Sequence, residues 1–118
     1  MFKFSRERIN NLGQNVYVDR MRRYLYDMFP ESEEMPIEKM DETILKLTER
    51  AQTHYGLILE TDIAPFIVGA WLMAVDFDDK YLAVKKILSD PNLASFEKSE
   101  KLWQFLEDAF RILEEGKK

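Results

Sequence analysis

Residues 55–88 read YGLILETDIAPFIVGAWLMAVDFDDKYLAVKKIL and form the most apolar stretch of the sequence. Every position from 63 to 75 is apolar, proline or glycine, so a helix through this segment has no polar face. A helix that is apolar all round is usually buried on all sides. The pattern therefore predicts the central helix of a helical bundle. We expect Thr61 or Glu60 to open it, with a start no earlier than about Thr61, because Pro65 is tolerated only within a first turn.

Three carboxylates follow this helix in the tetrapeptide Asp76-Phe77-Asp78-Asp79. Such a turn suggests a divalent cation, but a calcium loop of the EF-hand type needs a central glycine and a glutamate at its twelfth position. The glycine is missing here, and the twelfth position is Ile87. We therefore expect no metal or cofactor. Instead, Asp78 or Asp79 should cap a short helix over residues 80–88, with Phe77 in the core.

Helical patterns lie on both sides of the central stretch. A first helix is expected from Ser5 to about Phe29, where Pro30 ends it. An acidic linker follows over residues 31–35. A second helix should begin at Pro36 and end at Gly56, a residue type that favours the position just after a helix. Its expected buried positions, spaced by three or four residues, are Met40, Ile44, Leu47, Ala51 and Tyr55.

A last helix is expected from Ser95, as its cap, to about Glu115. Its apolar stripe includes Phe96, Leu102, Trp103 and Leu106. The sequence shows no strand-like alternation and no linker long enough to separate domains. We therefore predict an all-α fold, with residues 1–118 as a compact single-domain bundle of about five helices.

Composition limits the classes of function. The chain has 118 residues and a net charge of −5. Residues 1–30 carry six Lys/Arg against three Asp/Glu, whereas residues 31–118 carry eleven against nineteen. A net acidic body argues against non-specific nucleic-acid binding. A patch at Arg20, Arg22 and Arg23 keeps a small helical nucleic-acid binder as a lesser alternative.

The sequence predicts neither a membrane protein nor an enzyme. No apolar run reaches the roughly 18 residues of a membrane span, and the N-terminus lacks a secretory pattern. Together with the absence of cysteine, this fits the cytoplasm. Nucleophilic catalysis needs a nucleophile beside a base. The single histidine, His54, lacks such a motif, and no phosphate-binding glycine loop is present.

A set of residues running mainly through the central stretch carries a family resemblance: Gly56, Glu60, Asp62, Ile63, Phe66, Ile67, Asp76, Phe77, Asp78, Ile87, Leu88, Asp90 and Pro91. This pattern resembles a family of small helical proteins encoded in bacterial type VI secretion clusters, beside VgrG, PAAR or Rhs-type effectors. The segment around Phe29-Pro30 is also similar. Val75 and Leu82-Ala83 depart from the family pattern, which often has glycine and Trp-Ala there.

The resemblance implies a non-enzymatic protein-binding module of an effector cluster. Its first form is an immunity protein that binds and neutralises a cognate toxin, and its alternative is an adaptor or co-chaperone that loads an effector. For a basic toxin, the acidic turns are the expected contact, because opposite potentials speed encounter. These residues are Glu31, Glu33, Glu34, Asp76, Asp78 and Asp79.

Overall fold

The computed structural model describes residues 16–116, and this part of the chain is helical without any strand. The predicted all-α class is thereby confirmed. The expected start of the first helix at Ser5 lies outside the described residues. In chain order, the elements are α1 over 16–28, a 3-10 helix at Pro30–Glu34, α2 at Ile37–Tyr55, α3 at Glu60–Leu72, α4 at Phe77–Lys80, α5 at Leu82–Ser89 and α6 at Ser95–Gly116.

The chain divides into two compact units, Met1–Lys46 and Leu47–Lys118. The single domain over residues 1–118 therefore stays a prediction. In the first unit, α1 buries Val18, Met21 and Leu25 at helical spacing. The expected acidic linker is a 3-10 helix instead. Its Ser32 is buried, and its hydroxyl donates to the Leu25 carbonyl over 3.4 Å.

The expected buried face of α2 is confirmed at all five positions, from Met40 to Tyr55. The helix ends at Gly56, as expected, with a φ of 69°. Glycine adopts this left-handed conformation without the penalty that a side chain brings. The chain therefore turns sharply here and enters α3 after only three more residues.

Helix α3 is buried along most of its length, but Pro65 is not in its first turn as expected. The helix begins at Glu60, which makes Pro65 its sixth residue. Proline has no amide hydrogen, so the carbonyl of Thr61, four residues earlier, loses its helical donor. The Ser99 hydroxyl of α6 donates to this carbonyl over 3.3 Å. A side chain from a distant helix thus replaces the missing backbone bond.

The single helix expected over residues 80–88 is two helices, α4 and α5, separated at Tyr81. The expected capping by Asp78 or Asp79 is wrong, because both lie in the first turn of α4. The placement of Phe77 in the core is confirmed. Its ring lies against Gly69 of α3, where a Cβ atom would be 2.5 Å from two ring carbons. Only glycine permits this approach.

Helix α6 begins at Ser95 as expected, but Ser95 does not cap its own helix. Its hydroxyl accepts the Ile58 amide hydrogen at 3.0 Å and donates to Asp62 Oδ2 at 2.7 Å. Leu102 and Leu106 are buried, as the stripe predicts. Phe96 is not, since 58% of it is exposed. The first turn of α6 therefore presents an aromatic ring to solvent.

Candidate functional site

The acidic residues expected to contact a partner differ in their exposure. Glu31, Glu33 and Glu34 are exposed on the 3-10 helix of the first unit. Asp76 is exposed just before α4, and Asp79 is half exposed. Asp78 is fully buried, so its carboxylate is not part of the surface. Asp78 is therefore removed from the residues expected to contact a partner directly.

Asp78 is held inside the second unit by a group of polar side chains that we call the Arg50 cluster: Arg50, Tyr55, Asp78, Asp79 and Lys85. Arg50 Nε donates to Asp78 Oδ2 at 2.8 Å, and Arg50 Nη2 donates to Asp79 Oδ2 at 2.7 Å. The Tyr55 hydroxyl donates to the same Asp78 oxygen at 2.5 Å. Lys85 reaches the other oxygen of Asp79 at 3.3 Å.

The pKa values within the Arg50 cluster follow from this geometry. Burial alone would lower the pKa of Arg50, but hydrogen bonds to both aspartates outweigh it and raise that pKa. Burial, together with the hydrogen bond to Asp78, raises the pKa of Tyr55 to about 12. Hydrogen bonds from Arg50 and then Lys85 lower the pKa of Asp79. These shifts favour the charged forms of Arg50 and Asp79 and the neutral, hydrogen-donating form of Tyr55.

The chemistry of the Arg50 cluster is that of a structural ion network. Both aspartates are already engaged by cations, and Asp78 Oδ1 is buried without a hydrogen-bond partner among the described residues. Across residues 16–116, no three His, Asp or Glu side chains lie close enough to hold a metal ion. His54 is exposed, with Nδ1 3.1 Å from the Thr53 hydroxyl.

The arginines of α1 also participate in ion pairs. Arg22 bonds Asp19 at 2.7 Å and Asp41 at 2.5 Å. Arg23 lies 3.2 Å from the second oxygen of Asp19. Because neighbouring carboxylates neutralise these two cations, the structure weakens the interpretation of the α1 arginines as a nucleic-acid patch.

One surface feature was missed by sequence reasoning. Ile58 and Leu59, between α2 and α3, are 70% and 60% exposed, and Phe96 at the start of α6 is 58% exposed. The bond from the Ile58 amide to Ser95 brings these two segments together. We call Ile58, Leu59 and Phe96 the Phe96 surface. Periodicity alone predicts a core position for Phe96, because Phe96 begins the stripe that continues at Leu102 and Leu106.

No single helix within residues 16–116 is long and apolar enough to cross a membrane. Helices α2 and α3 meet the criteria of length and composition only when taken together, across a bend of 114°. Comparison of the chain with protein-family models, curated proteins and solved structures found no match.

Proposed function

We propose that this protein is a non-enzymatic protein-binding module of a type VI secretion effector cluster. Its partner is a cognate toxin, which it binds and neutralises in the bacterial cytoplasm as an immunity protein. The observation that carries the proposal is the Phe96 surface, where three large apolar side chains lie exposed on adjoining segments. Exposed apolar groups of this kind, gathered together, mark interaction sites more often than single exposed residues do.

The polar groups of the described second unit support a binding role rather than a catalytic one. Asp78 is bonded to Arg50 and Tyr55, and Asp62 is bonded to Ser95. Each buried carboxylate thus joins two elements of the fold. A catalytic acid or base must instead reach a substrate atom. These carboxylates act in folding, which leaves the exposed surface to supply the function.

The exposed acidic residues supply the charge that attracts a basic toxin. Glu31, Glu33 and Glu34 remain exposed on one turn, and Asp76 is exposed before α4. Charges at the edge of an interface mainly affect the rate of association and its salt dependence. We expect these residues to increase the speed of encounter with a basic partner, while apolar contacts determine how long the complex lasts.

The test is co-expression of the tagged protein with each chromosomal neighbour, followed by purification and a toxicity assay. Immunity predicts that a neighbour is retained and that its toxicity in the cytoplasm is abolished. A neighbour that is retained but stays toxic, and whose secretion requires this protein, would replace immunity with the loading role. Retention of no neighbour would contradict the proposed binding function itself.

The acidic contact is tested on the complex that this experiment yields. The variant Glu31→Gln/Glu33→Gln/Glu34→Gln is expected to slow association and to flatten its salt dependence. A matched control, Glu49→Gln/Glu107→Gln/Glu114→Gln, removes three exposed charges elsewhere and should leave specific steering intact. If the two variants have equal effects, Glu31, Glu33 and Glu34 act only through their contribution to the net charge and not through a specific contact.

A further inference from the structure

Apolar side chains adjoin the acidic turn of the first unit. Met35, Pro36 and Ile37 follow the 3-10 helix directly, and Ile37 is the first residue of α2. Ile37 is 56% exposed, Pro36 is exposed and Met35 is half-buried. We call these three residues the Ile37 surface. Scattered apolar residues are ordinary on a surface, whereas adjoining ones mark interaction sites more often.

Four exposed glutamates flank the Ile37 surface in the chain: Glu31, Glu33, Glu34 and Glu38. Within residues 16–116, none of their side chains forms an ion pair or a hydrogen bond. No three His, Asp or Glu side chains in this part of the chain lie close enough to hold a metal ion. The negative charge of the four glutamates therefore faces solvent, where a cationic partner can pair with it.

Four cations of the first unit are drawn to other carboxylates. On α1, Arg22 and Arg23 pair with aspartates rather than with the four glutamates. On α2, Lys46 pairs with Glu42 at 2.8 Å. The pKa of Glu42 is lowered mainly by the hydrogen bond from Lys46 and less by the nearby charge of Lys39. The cations of α1 and α2 thus leave the charge around the Ile37 surface unpaired.

The backbone of the acidic turn is anchored inside the first unit. Ser32 is 1% exposed, and its hydroxyl donates to the Leu25 carbonyl. The Ser32 amide donates to the Phe29 carbonyl at 2.8 Å, and the Met35 amide donates to the Ser32 carbonyl at 3.1 Å. The glutamates on either side of Ser32 are therefore presented by a backbone that is already fixed. A preorganised surface loses less conformational entropy on binding.

We propose that the Ile37 surface binds a basic amphipathic segment of a partner protein, with an apolar side chain of that segment on Ile37 and with Lys or Arg facing the four glutamates. The proposal rests on the protein-binding function above and makes the acidic turn part of the contact, not only a source of attraction. A second copy of this chain fits poorly, because a symmetric contact would bring the same four carboxylates together.

The first test measures binding of a fluorescein-labelled leucine–lysine peptide, patterned as an amphipathic helix, to the full chain by fluorescence anisotropy. The peptide should bind, and its affinity should fall as the salt concentration rises. Two control peptides, one of leucine and glutamine and one of serine and lysine, each keep half of the pattern and should bind much more weakly. Equal affinity for either control peptide, or no binding of the leucine–lysine peptide, would overturn the proposal.

A pair of isoleucine variants then locates the apolar contact. Ile37→Ser should weaken peptide binding by about tenfold, because a central apolar anchor carries a large share of the binding energy. The matched control Ile58→Ser changes an isoleucine that is 70% exposed in the second unit, and should leave the affinity unchanged. If only Ile58→Ser weakens binding, the peptide binds at the Phe96 surface and the proposal is wrong. Each variant is checked for an unchanged melting temperature.

A pair of charge variants tests the acidic part of the contact. Glu33→Gln/Glu34→Gln/Glu38→Gln should weaken peptide binding and reduce its salt dependence. The control Glu49→Gln/Glu107→Gln/Glu114→Gln changes the net charge by the same amount through three exposed residues elsewhere, and should have a much smaller effect. Equal effects of the two variants would show that binding follows net charge alone, which contradicts the proposal.

Effector retention separates this proposal from the proposed function. If wild-type protein and Ile37→Ser retain the same co-expressed effector equally well, the Ile37 surface is not the contact, although the binding function stands. Loss of retention in Ile37→Ser, with folding intact and retention kept in the control Ile112→Ser, supports the proposal. If sedimentation shows that the wild type self-associates and that Ile37→Ser abolishes this, a second copy covers the surface and the proposal is wrong.

Discussion

Two arginines in this protein each bind two aspartates, yet their surroundings differ. At Arg22 in the first unit the cation is the least exposed member, at 17%, while Asp19 and Asp41 are 39% and 30% exposed. At Arg50 in the second unit the cation is 32% exposed, and one anion, Asp78, is completely buried. Water thus reaches all three side chains of the Arg22 group, whereas it does not reach Asp78 in the Arg50 group.

The difference determines what each ion pair contributes to stability. An exposed ion pair adds little, because water solvates both partners when they separate. A buried carboxylate that loses its cation has no water to replace it. Asp78 Oδ2 also accepts a hydrogen bond from the Tyr55 hydroxyl, whereas Asp78 Oδ1 has no hydrogen-bond partner among the described residues. We therefore expect the Arg50 cluster to be far more sensitive to substitution than the pairs at Arg22.

The largest effect is expected from Arg50→Met. This change leaves the Asp78 charge buried without a cation, and we expect the free energy of unfolding to fall by about 3–5 kcal/mol. Urea denaturation measures it. The double variant Arg50→Met/Asp78→Asn should recover part of the loss, and Asp79→Asn alone should cost much less. An Arg50→Met protein as stable as the wild type would show that Asp78 does not depend on the ion pair.

The second-largest effect is expected from Gly69→Ala, which tests whether packing, rather than charge, positions the buried Asp78. Gly69→Ala places a methyl group where the Phe77 ring lies, so the ring, which directly precedes the buried Asp78 in the chain, must shift. We expect a loss of about 1–3 kcal/mol, typical of overpacking. At an open helical site the same change is favourable. Adding Phe77→Leu should restore part of the stability, and failure to do so would mean that the ring is not the obstacle.

A smaller effect is expected from Tyr55→Phe, which removes the hydrogen bond that the Tyr55 hydroxyl donates to Asp78 beside the one from Arg50. The expected cost at neutral pH is about 1–2 kcal/mol. Because the folded pKa of Tyr55 is raised to about 12 from an ordinary value of 10, its contribution is complete below pH 10 and is lost as the pH rises through 12. The stability difference between wild type and variant should therefore narrow between pH 10 and 12. A difference constant across this range would contradict the assignment.

The smallest effect is expected at the first arginine. Arg22→Gln should cost about 1 kcal/mol, because its partners keep access to water. The matched control is Arg23→Gln, which removes a more exposed cation that shares Asp19, and should change the melting temperature hardly at all. If Arg22→Gln lowers the free energy of unfolding as much as Arg50→Met does, burial of the anion does not explain how the two ion pairs differ in their contribution to stability.

The sequence predicts those parts of the fold that depend on local periodicity. The five inward positions of α2, the turn at Gly56 and the core position of Phe77 all follow from spacing or from backbone preference. Each depends on residues within a few turns of the position concerned, which is the range over which periodicity carries information.

What sequence reasoning missed depends on distant partners. The burial of Asp78 depends on Arg50, which lies 28 positions earlier. The exposure of Phe96 depends on how Ser95 attaches to Ile58, 37 positions away. No local pattern shows these pairings, so the sequence predicts a surface contact or a helix cap for Asp78 and a core position for Phe96. Glu31, Glu33 and Glu34 of the first unit are exposed, and their contact with a partner stays a prediction.

The bond from Ser99 to the Thr61 carbonyl has a consequence for the order of folding during synthesis. The proline-interrupted turn of α3 leaves the ribosome 38 residues before the hydroxyl that completes its hydrogen bonding. Until then, water must solvate that carbonyl, and the turn cannot be dehydrated without cost. The start of α3 and the start of α6 should therefore become protected from solvent exchange in the same step, so that a nascent chain ending before residue 95 carries an unfinished α3.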